Sequence, residues 1–266
     1  MKEIHVEELK SIQMDILDKV AAFCAENKIK YSLSSGTLIG AVRHKGYIPW
    51  DDDIDIYMLR RDYECFVEGF NGSYDGYRVQ SLKTTPNYSL AYAKVERTNT
   101  IMREGFGTQL EIGVNIDVFP VDGVPDDYEQ RKKFFKKIVK LRNQYVLKIL
   151  PVSLNKRGLV KNIILVIGKM WYSHKSLNAI ARELDSYIDK DNDNTKYVCN
   201  LTTDNKIGAE FTRVAMSDVL DMDFEDRTYK VMVGWDEYLT KSYGDYMKLP
   251  PENKRVSVHD FQAFWK

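Results

Sequence analysis

Four carboxylates stand within five residues of the segment IPWDDDIDIYM, residues 48–58, and apolar residues surround them. The alternation is typical of a strand, in which every second side chain shares a face. Asp51, Asp53 and Asp55 are therefore expected on one side, and the isoleucines on the other, in the core. Carboxylates held close together repel each other, and burial makes their ionisation costly. A hard divalent cation, Mg²⁺ or Mn²⁺, removes that penalty, so the segment predicts a metal site, with an acidic turn exposed to water as the alternative.

A turn of small residues precedes the acids. The segment LSSGTLIG is typical of a strand that runs into Ser35, Gly36 and Thr37 and then into a helix. Backbone N–H groups and hydroxyls at such a turn point at an anion beside the helix N-terminus. We therefore expect a phosphate-binding turn, and N-capping of the helix is the alternative role of the two hydroxyls.

A third carboxylate, Asp117, lies between Ile116 and Val118 in the apolar segment VNIDVFPVDG. An acid inside an apolar strand needs a cation or a hydrogen-bond partner, and capping of the following turn is the alternative. Together with Asp53 and Asp55 it makes a set of three carboxylates, which can hold metal ions during a phosphoryl transfer.

Charged and aromatic residues near these acids are candidates for binding a ligand. Arg43 and Lys45 end the helix after the turn and are expected to reach phosphates or the acids; complementing the helix dipole is the alternative. Trp50 and Tyr57 flank the acids, and they are candidates for stacking on a base or enclosing a choline group, although core packing is the commoner role of such residues.

Two further groups of basic residues are candidates for the same site. Lys94 and Arg97 are three residues apart in the strand-like segment LAYAKVERT, so they face opposite sides, and we expect Lys94 to point into the site. Near the C-terminus, Lys254, Arg255 and His259 are candidates for closing over a nucleotide.

The segment GTLIGAVRHKGYIPWDDDIDI resembles the signature of the LicD family, which includes bacterial phosphocholine transferases and the eukaryotic fukutin-related proteins. That family is similar to the nucleotidyltransferase superfold, and Gly36-Thr37, Asp53-x-Asp55 and Asp117 match its motifs in order. The tail YGDYMKLPPENKR also looks like the family's C-terminal motif. The resemblance implies an α+β fold, with a nucleotidyltransferase-like mixed sheet flanked by helices and a helical insertion or C-terminal region.

The resemblance also implies a reaction. A CDP-linked alcohol, typified by CDP-choline, gives its phospho-alcohol to a hydroxyl of a cell-surface glycan such as lipopolysaccharide, teichoic acid or capsule, either free or lipid-linked. Asp53 and Asp55 would ligate Mg²⁺, or Mn²⁺, on the pyrophosphate. Asp117 would complete the metal site or take the proton of the acceptor.

The elements that position these residues divide the chain into three predicted parts. Residues 1–126 read as a nucleotidyltransferase-like catalytic core that begins with a helix through about Asn27. Residues 127–194 are helical, and residues 195–266 are expected to return to the core and complete the site. The most hydrophobic stretch, GLVKNIILVIGKMWY, contains two lysines and is too short to span a bilayer, which requires ~20 residues.

Composition limits the partners. Lys and Arg number 39, as do Asp and Glu, so no global field favours nucleic acid or membrane. No secretory signal is recognisable at the N-terminus, and the three cysteines lack metal-ligand spacing, so we expect a cytoplasmic protein. One arc of the helix near residues 131–142 is rich in lysine, which predicts either a solvated face or a peripheral contact with anionic lipid at the inner face of the membrane.

Two other functions remain open. A glycosyltransferase that uses a sugar nucleotide also carries D-x-D, but its acids usually follow a longer nucleotide-binding segment. A non-enzymatic protein that binds glycan or Ca²⁺ would not require Asp117 in an apolar strand. Release of CMP from a CDP-linked donor distinguishes phospho-alcohol transfer from both of these functions.

Overall fold

The computed structural model describes residues 1–104, 111–152, 158–188, 193–203, 207–256 and 261–266. Its helices are α1 (Val6–Asn27), α2 (Ser35–His44), α3 (Arg60–Gly69), α4 (Tyr128–Ile149), α5 (Leu159–Trp171), α6 (Leu177–Tyr187) and α7 (Trp235–Tyr243). Its strands are β1 (Glu3–Ile4), β2 (Ser32–Leu33), β3 (Asp55–Leu59), β4 (Tyr77–Gln80), β5 (Ala93–Arg97), β6 (Thr100–Glu104), β7 (Asn115–Val124), β8 (Tyr197–Cys199), β9 (Phe211–Thr212), β10 (Val219–Phe224), β11 (Arg227–Met232) and β12 (Phe261–Trp265). The arrangement is α+β with mixed sheets and flanking helices, which confirms the predicted fold class.

The main sheet has seven strands, five of them in the order β2-β3-β7-β5-β4, and β8 pairs with β7 and β9 with β8. Strands β3 and β7 run parallel, and the other pairs of this sheet are antiparallel. The longest strand, β7, therefore lies between β3 and β5. Residues that face each other across these three strands are side by side on one surface.

The first three helices cover this sheet because their apolar residues recur with helical spacing. In α1, Leu9, Ile16 and Val20 are fully buried, and the helix packs on β5 and β7. Helix α2 packs on β3, and α3 packs on both β3 and β7. The predicted helices and strands of the N-terminal half are confirmed, with one difference at the acidic strand.

The acidic strand begins later than the sequence predicts. Paired strand residues start at Asp55, and the preceding acids lie in an extended segment outside the sheet. Burial still alternates from Asp51 to Ile56, but Tyr57 is also buried, at 1% exposure. Because β3 lies inside the sheet and is covered on both faces, its later residues do not alternate.

Residues 127–194 are helical where the structure describes them. The Asp127 side chain caps α4 by accepting a hydrogen bond from the Gln130 amide at 2.8 Å, and Ser176 caps α6 in the same way. Helices α4 and α6 share a small apolar core that includes Ile138, Leu141 and Leu184. Within the described residues, no helix combines the length and apolar character needed to cross a membrane.

The last part of the chain adds elements that the sequence analysis did not predict. Strands β10 and β11 form a hairpin beside β2, where the Met232 amide donates to the Ser32 hydroxyl at 2.8 Å. Strands β1, β12 and β6 form a separate sheet that joins the two ends of the chain. Helix α7 brings Tyr238 into the main core. The predicted boundaries at residues 126 and 194 stay a prediction.

Candidate active site

Three residues form a row across the middle of the main sheet. Asp117 on β7 is the register partner of Asp55 on β3 and, on its other side, of Lys94 on β5. The Lys94 ammonium donates to the Asp117 carboxylate at 2.7 Å and to the Asn115 side-chain oxygen at 3.0 Å. Lys94 thus points to the acids, as its place in the strand predicted, while Arg97 contacts the Tyr77 ring elsewhere.

The small-residue turn is held directly over Asp55. The Ser34 amide donates to the Asp55 carbonyl at 2.9 Å, and the Asp55 amide donates to the Thr37 hydroxyl at 2.9 Å. The Ser35 hydroxyl forms a hydrogen bond with the Asp55 carboxylate. These contacts join the start of α2 to the start of β3, and the Thr37 side chain does so by binding the Asp55 backbone amide.

The backbone of this turn is strained at Ser35. Its φ angle is 49°, in the left-handed region that side chains other than glycine rarely occupy. The Ser35 amide donates to the Tyr238 hydroxyl at 3.2 Å, and this hydroxyl lies 3.1 Å from that of Tyr57. Helix α7 and strand β3 thus hold the strained turn in place.

Gly36 allows a carboxylate to approach the start of α2. A Cβ atom at Gly36 would lie 2.5 Å from the Asp51 Oδ2 atom, so a larger residue would displace that side chain. Negative charge is favourable at a helix N-terminus, which accounts for the position of Asp51. The same helix end is the predicted phosphate-binding turn.

Burial and the neighbouring carboxylates make ionisation of Asp55 unfavourable. Burial raises the pKa of Asp55 well above its usual range, and the charges of Asp53, Asp117 and Asp51 raise it further, against the Ser35 hydrogen bond. Carboxylate oxygens crowded in this way suit a hard divalent cation, so the donor atoms fit Mg²⁺ or Mn²⁺. In the conformation described, no group of three or more His, Cys, Asp or Glu among the described residues is arranged to hold a metal.

The two basic residues that end α2 lie on different sides of the helix end. Arg43 donates from Nε to the His44 ring at 2.9 Å and from Nη1 to the Tyr246 carbonyl at 2.7 Å, so it joins α2 to the C-terminal segment. Lys45 is exposed, and its carbonyl accepts a hydrogen bond from the Glu225 amide. Their binding of a ligand stays a prediction.

The two predicted aromatic ligands also differ. Tyr57 is buried, and its hydroxyl accepts a hydrogen bond from the Asn200 side chain at 3.2 Å, which corresponds to the packing alternative. Trp50 is partly exposed, with the Arg255 guanidinium 6.0 Å from its ring. Arg255 therefore lies near the acidic segment, Lys254 is exposed, and His259 lies outside the described residues.

A cavity of about 340 Å³ opens beside Lys94. It lies between β5, α4 and α6, and its wall is largely apolar with a few polar groups, as small-molecule sites usually are. The residues relevant to recognition are Tyr92, Lys94, Arg142, Tyr145, Thr202 and Thr203. Sequence analysis missed all of them except Lys94, because they come from segments far apart in the chain.

Two supporting residues were also missed. Asn115 shares its face of β7 with Asp117, two residues away, and that spacing was an available signal. Gln13 on α1 donates to the Asp52 carbonyl at 2.9 Å, and nothing in the local sequence indicates this contact.

Comparison with known proteins points to the family that the sequence resembles. Residues 28–155 match the family model described as LicD/FKTN/FKRP, nucleotidyltransferase domain. Over 273 residues the chain is 32% identical to the lipopolysaccharide cholinephosphotransferase LicD of Haemophilus influenzae, and this alignment covers 99% of each protein. An uncharacterised protein of Rickettsia typhi is 40% identical over 63 residues, 23% of this chain and 20% of that protein.

The family model thus assigns residues 28–155 to a nucleotidyltransferase domain. With a relative that is 32% identical along nearly the whole length, the chain belongs to the LicD family.

Proposed function

We propose that the chain is a transferase that moves a phospho-alcohol, phosphocholine or a similar group, from a CDP-linked donor to a hydroxyl of a cell-surface glycan. The observation that carries the proposal is the row of Asp55, Asp117 and Lys94 beneath the strained turn at Ser35. The Haemophilus relative is a lipopolysaccharide cholinephosphotransferase by name, which supports the same class of substrate.

The proposed reaction is a displacement at phosphorus. The oxygen of the acceptor hydroxyl forms a bond to the phosphorus that carries the alcohol, and the bond from this phosphorus to the bridging oxygen breaks. CMP leaves with the bridging oxygen, and Asp117 accepts the hydroxyl proton. Lys94 holds the Asp117 carboxylate in position through its 2.7 Å hydrogen bond. Positioning and neutralisation of charge dominate such chemistry.

We also propose that Mg²⁺ or Mn²⁺ takes part, held by Asp53, Asp55 and Asp117. When bound, the ion would neutralise the charge of the pyrophosphate. The raised pKa of Asp55, with burial as its main cause and neighbouring carboxylates as the second, supports this ligand set. The side chains would have to rotate from the conformation described, and Lys94 would share Asp117 with the ion.

The proposed binding groups lie on both sides of this row. The amides at the start of α2 suit the phosphates of the donor, and Trp50 suits its base by stacking. The cavity beside Lys94 has Tyr92 and Tyr145 in its wall, which suits a quaternary ammonium group through cation–π contact. The threonines of the same wall suit the hydroxyls of a glycan.

The proposed location is the cytoplasm, at the inner face of a membrane when the acceptor is lipid-linked. Cys24, Cys65 and Cys199 are all free, which is usual in a reducing compartment.

One assay tests the function. The purified chain is incubated with Mg²⁺, a glycan acceptor and, in turn, CDP-choline, CDP-ethanolamine, CDP-glycerol or CDP-ribitol, and CMP release is measured. We expect release with one of these donors, loss of release with EDTA and recovery when Mg²⁺ is restored. Release from a sugar nucleotide instead would support a glycosyltransferase, and binding without turnover would support a glycan-binding protein.

A further inference from the structure

Helix α5 presents a continuous apolar face to solvent. Eight of its apolar side chains are between 40% and 75% exposed, namely Leu159, Val160, Ile163, Ile164, Val166, Ile167, Met170 and Trp171. At about 100° per residue, these eight side chains occupy an arc of roughly 160°. Isolated exposed apolar residues are ordinary, but a contiguous patch of this kind marks a contact surface.

The opposite side of α5 packs on α4. Leu165 is buried, and a Cβ atom at Gly168 would lie 3.4 Å from the Leu147 side chain of α4. The Lys169 ammonium donates to the Lys148 carbonyl at 3.0 Å. Apart from Leu165, the residues that this helix directs inward are polar or small, and most of its apolar residues face outward, the reverse of a helix on a water-exposed surface.

The chain segment that contains this apolar face is strongly basic. Residues 128–175 contain 13 Lys and Arg but a single acid, Glu129, although the whole chain is neutral. The lysines of the α4 arc are all exposed, namely Lys132, Lys133, Lys136, Lys137 and Lys140. This exposure fits both alternatives, a solvated face and a lipid contact, and an apolar helix within a strongly basic segment matches the chemistry of an anionic lipid surface.

We propose that α5 lies in the interface of an anionic lipid bilayer, with its apolar arc among the acyl chains and the lysines of the same basic segment at the headgroups. Its 13 residues make a helix of about 20 Å, too short for the ~30 Å hydrocarbon core, so the helix lies in the surface instead of spanning it. A second copy of the chain is a poorer occupant because pairing would bring two strongly basic regions together.

The inference of a lipid surface rests on the charge of the segment and on the exposure of α5, and it does not depend on the proposed reaction. It extends that proposal in one respect, because α4 packs on α5 and also lines the cavity beside Lys94 through Val146 and Ile149. A lipid-linked acceptor held at the membrane would therefore meet the helical side of that cavity.

Sedimentation with vesicles tests the lipid surface. The full chain is mixed at low salt with vesicles of phosphatidylglycerol and phosphatidylcholine, or of phosphatidylcholine alone. We expect the wild type to sediment with the anionic vesicles and to be released by high salt. The double variant I163E/I167E should lower the partition coefficient by about tenfold or more. Val214, which is 73% exposed and lies outside the basic segment of residues 128–175, provides the control V214E, which should bind like the wild type.

Spectroscopy and size measurements complete the test. Quenching of tryptophan fluorescence by brominated lipids should be strong in the wild type and largely lost in W171F. A wild-type chain that stays in the supernatant, or I163E/I167E that binds as tightly as the wild type, would overturn the proposal. So would a lipid-free dimer that dissociates in I163E/I167E without any vesicle binding, since the face would then join two copies. CMP release is measured separately without lipid, so a failure of the proposed function can be distinguished from a failure of the proposed lipid binding.

Discussion

Asp117 is the residue on which the candidate site is centred. Strand pairing sets Asp55 on one side of it and Lys94 on the other, so an acid, an acid and a cation lie in register on three adjacent strands. The cation contacts Asp117 directly, while the pKa of Asp55 is raised by burial and by the other acids. The two carboxylates thus have unequal surroundings, which fits different roles for them in one reaction.

Lys94 is predicted to be necessary for turnover. In K94M, the Asp117 carboxylate loses its cation and its position, so kcat for CMP release should fall at least about tenfold, which corresponds to ~1.4 kcal/mol of barrier. R97M is the matched control, since Arg97 lies three residues along the same strand and contacts Tyr77. A K94M enzyme with a normal kcat would show that the contact has no part in the reaction.

Gly36 is predicted to matter through its contact with Asp51. The added methyl group of G36A would displace the Asp51 side chain and, with it, the acidic segment that leads to Asp53 and Asp55, so KM for the donor should rise with little change in thermal stability. The steric account requires that G36A have a much smaller effect when introduced into D51A. Equal effects of G36A in the wild type and in D51A would instead show that Gly36 acts through the backbone of the turn.

At the scale of elements, a buried ion pair joins α3 to the end of the central strand. The Arg60 guanidinium donates from Nε and Nη2 to the two oxygens of Asp122 at 2.6 and 2.7 Å, and it also contacts Asp185 on α6. Asp122 and Arg60 are 1% and 5% exposed. This pair therefore fixes the position of the helical region relative to the sheet.

Loss of the Asp122 charge is predicted to destabilise the fold. D122N leaves the buried Arg60 without its main partner, and removing one partner of a buried pair typically lowers the free energy of unfolding by about 3–5 kcal/mol. The control is D221N, whose pair with Lys230 is largely exposed and should contribute less than ~1 kcal/mol. Urea denaturation measures both, and equal losses would contradict the assigned role of the buried pair.

At the scale of the whole molecule, the sequence predicts what depends on local pattern. The order of the turn, the acidic strand and Asp117, as well as the first helix and the lysine arc of α4, all follow from spacing or from the family resemblance. It offered core packing of Tyr57 as one of two roles and could not decide between them, because the burial depends on Asn200 and Tyr238 from the distant C-terminal part. The β1-β12-β6 sheet was missed for the same reason, since its short strands come from both ends of the chain.

Helix α5 shows a different limit. Its sequence indicates an apolar helix, and such a helix is normally buried in a core. Only the packing of its polar side on α4 reveals that the apolar side faces outward. The orientation of an apolar helix is thus a property of the assembled molecule.

The central claim is that Asp55, in line with Asp117, supplies charge for phosphoryl transfer. CMP release from the CDP-linked donor by D55N, with Mg²⁺ and acceptor present, tests it most directly, and D75N at an exposed turn is the control. Because the ionised form of Asp55 is unfavourable in the metal-free fold, the neutral amide should leave the free energy of unfolding unchanged or raise it. We predict that D55N folds but turns over at least about a hundredfold more slowly, a loss of ~2.7 kcal/mol of transition-state stabilisation. A folded D55N enzyme that releases CMP at nearly the wild-type rate would contradict the account.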